Sequence, residues 1–475
     1  MEKACEPEGL AAIKSAIADR KVNRVVVAGC THRLYGALLE DAVRQAGLNP
    51  CLLERADLRE GCAWAHADQA EEAASKARQL VAMAVAKARL LTTSQAAEAE
   101  VSTGALIIGG GVAGLEAALS LAGQGFFVHL VEKEKELGGH LRHIYYTLEG
   151  NDAQRYLHDL LERVERNELI TVHLGAEVKE VLGRGGQYTT VIARDGDRKE
   201  LTHGVIVVAT GGEEREPHEY LYGAHPGVVT QRELEERIAT DEASLEQVKN
   251  VIMIQCVGSR EPEHPYCSRI CCSVAIKNAL RLKELLPEAN VLVLFRDMRT
   301  YGFQEDYYRQ AREKGVIFIR YEPEAKPKVE EAGDRLRVLV REPILGADLK
   351  LEADLVVLSM GVAPGNNEPL AQLLGVPLDE DGFFEEANSK VRPMDFEAAG
   401  IYLCGLCHAP KGIDESIAQA KGAAARAAVM LAKSRVEGQP AVPFVNPRLC
   451  IACGRCIETC PYGALVADEE TGITE

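Results

Sequence analysis

The stretch ALIIGGGVAG, residues 105–114, decides the fold of this 475-residue chain. Its four leading apolar residues predict a strand that is buried on both faces of a parallel sheet. Gly109, Gly111 and Gly114 follow with G-x-G-x-x-G spacing, which permits a tight turn, close backbone approach to a pyrophosphate and close packing of the next helix. The helix N-terminus adds partial positive charge. Glu132 ends the next predicted strand, where it would accept hydrogen bonds from a ribose, so a dinucleotide site is predicted.

Two later segments favour FAD as that dinucleotide. The segment LGGHL contains Gly138 and Gly139, and it resembles the second glycine pair of two-dinucleotide flavoproteins such as thioredoxin reductase and dihydrolipoamide dehydrogenase. Thr210 and Gly211 follow another apolar strand and match the later A-T-G signature of the same proteins. These residues are therefore predicted to contact FAD.

The segment CGLC near the C-terminal end of the flavin domain departs from that pattern. Gly405 matches a glycine of these flavoproteins, but Leu406 stands where they carry the aspartate that holds the ribityl chain, so we expect this contact to be made differently. Cys404 and Cys407 could form a redox disulfide facing the flavin or remain thiols packed near it. Lys411 is the candidate catalytic cation near the flavin N5 edge, where positive charge would stabilise reduced, anionic flavin. A solvent-facing lysine is the alternative.

A second Rossmann-type unit, starting near residue 249, lacks the glycine loop that a nicotinamide dinucleotide requires. In its place stand Cys256, Cys267, Cys271 and Cys272, within 17 residues. Four thiolates are soft ligands suited to the iron of one [4Fe–4S] cluster. A zinc site and a Cys271–Cys272 redox pair are the alternatives, although zinc more often shows paired C-x-x-C spacing and vicinal disulfides require local strain.

Four further cysteines form a ferredoxin-type motif near the end of the sequence. Cys450, Cys453, Cys456 and Cys460 have the spacing C-x-x-C-x-x-C-x-x-x-C, followed by Pro461. Three such thiolates converge on one cubane, while the fourth usually serves the second cluster of a two-cluster ferredoxin. No second motif follows. We expect at least one [4Fe–4S] cluster here, either in an incomplete ferredoxin unit or with Cys460 or an outside ligand completing it.

At this point the sequence resembles a specific family, the A-type subunits of heterodisulfide reductase. The resemblance covers nearly the whole chain and is carried by these segments: CVGSR at 256–260, HPYCSRICC at 264–272, RVVVAGC at 24–30, REGCAWAH at 59–66 and APKGID at 409–414. It implies two or more [4Fe–4S] clusters in addition to FAD.

The resemblance also points to the N-terminal cysteines. Cys5, Cys30 and Cys62 match positions that ligate an N-terminal cluster in the family, although the family's earlier cysteine-bearing stretch does not precede them. Buried free thiols are the alternative at these three positions. Trp64 and His66 are expected to be packing residues rather than ligands.

The predicted fold class is α/β, with a tandem Rossmann-type, thioredoxin reductase-like arrangement. Five ranges are expected: a small N-terminal α/β domain at 1–98, the FAD-binding domain in two parts at 103–248 and 366–438, an NAD-like domain with the inserted cluster motif at 249–365, and a ferredoxin-like segment at 441–475.

The resemblance implies an oxidoreductase component that contains FAD and [4Fe–4S] clusters and performs electron bifurcation. It would pass electrons between a low-potential carrier such as ferredoxin and a disulfide-reducing subunit. The implied partners are B- and C-type subunits, a hydrogenase or dehydrogenase input subunit, ferredoxin and a second copy of the chain. An electron-wire component of a quinone-interacting complex and an NAD(P)H-dependent disulfide oxidoreductase using Cys404 and Cys407 are the rival interpretations.

Charge and hydropathy limit where in the cell the protein is expected. The net charge of −18 at pH 7 argues against non-specific binding to nucleic acid or to anionic membranes. No apolar run approaches the roughly 20 residues that cross a bilayer, and the N-terminus lacks a signal-peptide layout. A cytoplasmic protein without direct membrane insertion is expected.

Overall fold

The structure is a computed structural model, and it describes residues 4–93, 98–333, 335–437, 445–460, 465–468 and 471–474. The chain divides into two compact units. One comprises Met1–Glu98 with Glu437–Glu475, and the other comprises Ala99–Val436. Among the described residues, no helix combines the length and the apolar character that crossing a bilayer requires.

The described elements are numbered in chain order. The helices are α1 (Pro7–Arg20), α2 (His32–Gln45), α3 (Ala70–Leu90), α4 (Val112–Ala122), α5 (Ala153–Glu165), α6 (Gln231–Thr240), α7 (Cys271–Leu285), α8 (Glu305–Glu313), α9 (Glu368–Leu374), α10 (Ile413–Leu431) and α11 (Arg455–Thr459). The strands are β1 (Val25–Gly29), β2 (Leu53–Asp57), β3 (Glu98–Glu100), β4 (Gly104–Ile108), β5 (Phe127–Glu132), β6 (Ile170–Leu174), β7 (Glu177–Arg184), β8 (Gln187–Arg194), β9 (Asp197–His203), β10 (Val205–Val208), β11 (Gly212–Glu214), β12 (Val228–Thr230), β13 (Asn250–Val257), β14 (Asn290–Phe295), β15 (Ile317–Arg320), β16 (Lys328–Ala332), β17 (Arg335–Glu342), β18 (Ala347–Ala353), β19 (Leu355–Met360), β20 (Val362–Pro364), β21 (Ile401–Leu403) and β22 (Arg435–Glu437).

The first unit contains a small parallel pair of strands, β1 and β2, together with α1, α2 and α3. Ile13 of α1, Val43 of α2 and Leu53 of β2 belong to its apolar core. The two helices contribute because one face of each is apolar. Trp64, which was expected to be a packing residue rather than a ligand, is 64% exposed and lies outside this core. Its ring lies instead against the Arg59 guanidinium, 5.0 Å from the ring centroid, where a cation stabilises the exposed aromatic face.

The second unit contains two parallel five-stranded sheets in which four neighbouring strands follow the same order. The fifth strand, at one edge, comes last in the chain in the first sheet (β21) and first in the chain in the second (β12). The first sheet runs β21-β10-β4-β5-β6 and the second runs β12-β19-β13-β14-β15. An antiparallel three-stranded sheet accompanies each, β7-β8-β9 for the first and β16-β17-β18 for the second. β11 and β20 form an antiparallel pair. The unit is thus a tandem repeat of one α/β plan, whose central strands read as continuous apolar runs because both faces are buried.

The second sheet begins earlier in the chain than expected. β12 pairs in parallel with β19, so residues 228–230 belong to the second sheet although the first domain was expected to continue to residue 248. The following helix α6 packs in the same core, through Leu234 and Ile238. A three-residue strand gives too short an apolar run to be distinguished from a loop in the sequence.

Candidate functional site

The first glycine loop has the geometry of a dinucleotide cradle. Gly109 has φ +111°, and a Cβ atom there would lie 2.2 Å from the Ala209 carbonyl oxygen. A Cβ atom at Gly114 would lie 1.8 Å from the Gly109 carbonyl oxygen, so this glycine permits α4 to pack on β4. Gly111 differs, because a Cβ atom there meets nothing within 4 Å. Its backbone faces open space at the N-terminus of α4, where a pyrophosphate would bind.

Glu132 and the second glycine pair build the wall beside this loop. The Glu132 carboxylate is buried and accepts N–H bonds from Gly110 at 2.6 Å and from Glu134 at 2.8 Å. These bonds fix the side chain while leaving further lone pairs on both oxygens for a ribose. Gly138 has φ +114° and donates its N–H to the Gly110 carbonyl at 2.8 Å, and Gly139 lies against Gly111. The two glycine segments therefore form one surface, as FAD binding would require.

Thr210, Gly211, Gly405 and Lys411 lie around the same cavity. The Lys411 side chain is buried rather than solvent-facing, and its Nζ donates to the Gly405 carbonyl at 2.7 Å and to the Ala409 carbonyl at 3.0 Å. Burial lowers the pKa of Lys411 to about 8. The lysine is therefore a cation that releases its proton at a modest pH, at the edge of the predicted flavin site.

One large cavity of about 2320 Å³ connects these residues with the cysteine loop. Ordinary small-ligand pockets measure about 300–1,000 Å³, so this cavity has room for a dinucleotide and more. Its lining includes Gly109, Gly111, Glu132, Gly139, Thr210, Gly211, Gly405, Lys411, Ile270 and Cys271.

The four cysteines between residues 256 and 272 cluster at the carboxyl edge of the second sheet. Cys256 lies in β13, with φ +63°, and a register shift between Ile254 and Val257 marks a bulge in that strand. Cys271 and Cys272 open α7, and Cys267 lies in the intervening loop. The position between β13 and α7 corresponds to that between β4 and α4 in the first sheet. Cysteine side chains thus occupy the turn where the first sheet carries Gly109, Gly111 and Gly114.

Burial favours the neutral form of these thiols, so a bound metal centre would be needed to make them anionic. Burial raises the pKa of Cys256, raises that of Cys271 well above its ordinary value and raises that of Cys272 to about 11, with the neighbouring cysteines adding to each increase. Sulfur atoms nevertheless accept backbone N–H groups, Cys267 from Arg269 at 3.3 Å and Cys272 from Arg299 at 3.5 Å. Grouped buried thiols of this kind become thiolates when a metal centre binds them.

The spacing of these sulfurs is looser than a single-ion site. Over the ranges that the structure describes, no three His, Cys, Asp or Glu side chains lie close enough together to hold one metal ion. A cubane cluster is larger than an ion, so its four thiolates stand farther apart. The donor chemistry, the mutual proximity and the helix N-terminus at Cys271 fit an iron–sulfur cluster, and the four ligands remain a prediction.

Sequence reasoning missed three arginines around this loop. Arg260 follows Cys256 closely in sequence, but Arg296 follows β14 and Arg215 follows β11. Each has a buried guanidinium nitrogen without a hydrogen-bond partner among the described residues. The carboxyl ends of neighbouring parallel strands meet at one sheet edge, and this rule alone could have drawn attention to Arg296.

The Cys404 and Cys407 thiols are both fully buried and free. Cys404 packs in the core on the α4 and α10 side of the first sheet, whereas Cys407 packs with Phe384 and Phe396 on the other side. Cys407 donates to the Val208 carbonyl at 3.4 Å. This arrangement corresponds to packed thiols rather than to an exposed redox pair.

The cysteines of the first unit differ in environment. The Cys62 thiol is buried and donates to the Ala73 carbonyl at 3.1 Å, whereas Cys5 and Cys30 are partly exposed. Cys30 lies near the Arg59 guanidinium. The ligand role of the three cysteines stays a prediction.

The C-terminal motif has one exposed thiol, that of Cys453, whereas Cys450, Cys456 and Cys460 are partly buried. Backbone N–H groups of Thr474 and Ala452 lower the pKa of Cys450, which favours its thiolate. Pro461 lies outside the described residues.

Comparisons with known proteins identify the family and two of its domains. Residues 104–255 match the pyridine nucleotide-disulphide oxidoreductase family, and residues 443–466 match the 4Fe-4S binding domain family. The chain is 34% identical to an A-type iron-sulfur subunit of the CoB–CoM heterodisulfide reductase of Methanopyrus kandleri, over 98% of this chain and 86% of that protein. It is also 34% identical to the A-type subunit of the H2:CoB-CoM heterodisulfide,ferredoxin reductase of Methanothermobacter marburgensis, over 98% of this chain and 84% of that protein.

A thioredoxin reductase structure from Lactococcus lactis aligns with 70% of this chain and 99% of its own, with a TM-score of 0.49 and 18% identity. The two family matches and the relatives support an FAD-dependent oxidoreductase that carries a [4Fe–4S] domain and transfers electrons. The chain belongs to the family of heterodisulfide reductase A-type subunits.

Proposed function

We propose that this protein transfers electrons between a low-potential carrier such as ferredoxin and a disulfide-reducing partner, with electron bifurcation at its flavin. FAD, when bound, exchanges an electron pair with one partner and releases the electrons singly. Gly109, Gly111, Gly114, Glu132, Gly138 and Gly139 would hold its adenosine and pyrophosphate. Thr210, Gly211, Gly405 and Lys411 would surround the rest of the cofactor.

The observation that carries this proposal is the single cavity shared by the glycine loop and the cysteine loop. Gly111 and Cys271 both line it, so a flavin in the first part would have the cysteine loop as its neighbour. In a two-dinucleotide flavoprotein the second Rossmann unit supplies a hydride donor. Here Cys256, Cys271 and Cys272 stand at that position, and they favour one-electron exchange with a cluster over hydride transfer.

The same residues argue against the NAD(P)H-dependent rival. A pyrophosphate needs glycine backbone for its close approach, and the turn between β13 and α7 has side chains instead. The buried Cys404 and Cys407 thiols, on opposite sides of the sheet, offer no accessible disulfide. Disulfide chemistry is therefore assigned to another protein of the complex.

Partners follow from the family rather than from any surface described above. The relatives are named as subunits of heterodisulfide reductases, several of them with ferredoxin in the name of the complex. We propose an assembly of B- and C-type subunits, a hydrogenase or dehydrogenase input subunit, ferredoxin and a second copy of this chain, located in the cytoplasm.

The test measures iron, sulfide and flavin together in the purified protein, and it follows reduction by EPR. Cys271→Ser should remove one cluster signal and slow flavin-to-cluster electron transfer while FAD stays bound, because Cys271 lies in the cysteine loop and the glycine loop is intact. Cys51→Ser is the matched control, since Cys51 belongs to none of the cysteine groups. An unchanged iron content in Cys271→Ser, or rapid flavin reduction by NADPH, would contradict the proposal.

Bifurcation itself is tested by the two one-electron potentials of the bound flavin. Strongly crossed potentials, with simultaneous reduction of ferredoxin and of an oxidised partner, are expected. Well-separated potentials in the ordinary order would favour the electron-wire alternative.

A further inference from the structure

Three arginines near the cysteine loop each have one buried guanidinium nitrogen that the described residues leave without a hydrogen bond. Arg260 Nη1, Arg296 Nε and Arg215 Nη1 are buried, and each has no hydrogen-bond partner among the residues that the structure describes. Buried donors in folded proteins are nearly always satisfied. The Cys256 sulfur is within hydrogen-bonding reach of the Arg260 guanidinium, so the spare donors lie beside a loop that carries negative charge once a cluster is bound.

Arg260 is oriented by a carboxylate on its outer side. Its Nη2 atom lies 2.7 Å from the Asp297 carboxylate, whose side chain is half-exposed, and its backbone N–H bonds to the Tyr266 carbonyl at 3.2 Å. The Arg260 guanidinium also lies within hydrogen-bonding reach of the Cys256 sulfur, one of the predicted ligands. The free Nη1 atom is therefore on a side chain held beside a predicted ligand.

The Arg296 side chain is more deeply buried than that of Arg260. It is buried, and its Nη1 atom donates to the Arg260 carbonyl at 2.7 Å while Nη2 lies 3.2 Å from the Glu261 carboxylate. Its guanidinium carbon lies 5.7 Å from the centre of the Tyr321 ring. Arg215 approaches the same loop, since a Cβ atom at Gly258 would lie 3.5 Å from its Nε.

We propose that Arg260, Arg296 and Arg215 form a cationic cage that raises the reduction potential of the cluster held by the Cys256–Cys272 loop. This inference rests on the proposed function, and it assigns this cluster the role of acceptor for the electron that the reduced flavin gives up. One electron added to the cluster adds one negative charge. Fixed cations in a weakly screened site stabilise that charge, and Asp297, the carboxylate partner of Arg260, is half-exposed, so water weakens its opposing effect.

Two substitutions with opposite expected signs test the cage in the full-length protein with its cofactors. Arg260→Gln removes one cation and keeps much of the side-chain volume, so the midpoint potential of this cluster should shift downward. Asp297→Asn removes the carboxylate that offsets Arg260, so the midpoint should shift upward. Arg309→Gln in α8, an exposed arginine of the same unit, makes the same charge change elsewhere and should leave the midpoint unchanged. The measurement is an EPR-monitored redox titration, with iron and sulfide content determined for each variant.

The outcomes separate the two proposals. Absence of this cluster from the unaltered protein contradicts the proposed function itself. A cluster that is present, with a midpoint that Arg260→Gln leaves in place or raises, overturns the cage alone. If Arg260→Gln loses iron, the Asp297→Asn variant provides the test. An unchanged or lowered cluster midpoint potential in that variant contradicts the cage.

Discussion

The Nζ atom of Lys277 lies 2.8 Å from the carboxylate of Glu235, and the side chains are only 7% and 3% exposed. Glu235 belongs to α6 and Lys277 to α7, both in the second sheet's layer. Both reach the loop after the second glycine pair, where the Tyr145 N–H donates to Glu235 at 2.8 Å and Lys277 donates to the Tyr146 carbonyl at 2.7 Å. The pair therefore connects the two halves of the second unit beside the cavity.

Breaking this pair from one side should be costly. Lys277→Met leaves the Glu235 charge buried and unpaired, and we expect a loss of about 3–5 kcal/mol, measured as a lowered thermal or denaturant midpoint. Lys277→Met with Glu235→Gln should recover much of the loss, because the neutral amide still accepts the Tyr145 N–H. Lys314→Met, at an exposed pair with Glu284, should cost about 0–1 kcal/mol. Equal losses of stability in Lys277→Met and Lys314→Met would show that the buried pair contributes no more than the exposed one.

Two glycine variants separate ligand binding from folding. Gly111→Ala adds a methyl group where the structure has open space, so the protein should fold normally yet bind FAD at least about tenfold more weakly, about 1.4 kcal/mol. Gly114→Ala drives a methyl group into the Gly109 carbonyl and should destabilise the fold itself. Flavin absorbance after gel filtration and thermal unfolding give the two measurements. Gly29→Ala, also in open space, is the control. Full FAD retention by Gly111→Ala would show that no pyrophosphate passes there.

The depressed pKa of Lys411 predicts a pH-dependent flavin potential. Well below pH 8 the protonated side chain stabilises reduced, anionic flavin, and this contribution disappears as the pH rises through about 8 because the buried amine loses its proton. Lys411→Met should therefore lower the flavin midpoint potential relative to the unaltered protein below pH 8 and match it well above pH 8. Lys411→Arg stays charged throughout and should keep the higher potential on both sides. Parallel pH profiles for the unaltered and Lys411→Met proteins would exclude the role.

The buried thiols of Cys404 and Cys407 should be chemically silent in the folded protein. Burial raises the pKa of both, so few thiolates are present for alkylation at neutral pH. Iodoacetamide followed by peptide mass analysis should leave both unmodified until denaturant is added, while the exposed Cys453 in metal-free protein reacts. Loss of flavin reduction in Cys404→Ala, without loss of FAD, would revive the redox-disulfide interpretation.

Elements with continuous apolar runs could be predicted from the sequence, since strands buried on both faces carry that pattern. β4, β10 and β13 lie within a few residues of their expected positions. The three-residue β12 gave no such signal, and the domain boundary was misplaced as a result. Glycine geometry was predictable because only glycine tolerates the φ of Gly109 or Gly138. Arg215 was not, because the pairing of β11 with β20 that precedes it has no signal in the sequence.

The matching order of β10-β4-β5-β6 and β19-β13-β14-β15 gives the position of the cysteine loop a further consequence. A small nicotinamide can diffuse into an open pocket at a rate set by its concentration. If thiol-bound iron stands at that position, reducing equivalents enter only through another macromolecule seated within tunnelling range. The rate of electron transfer through this protein would then depend on assembly and contact between proteins rather than on the concentration of a soluble metabolite.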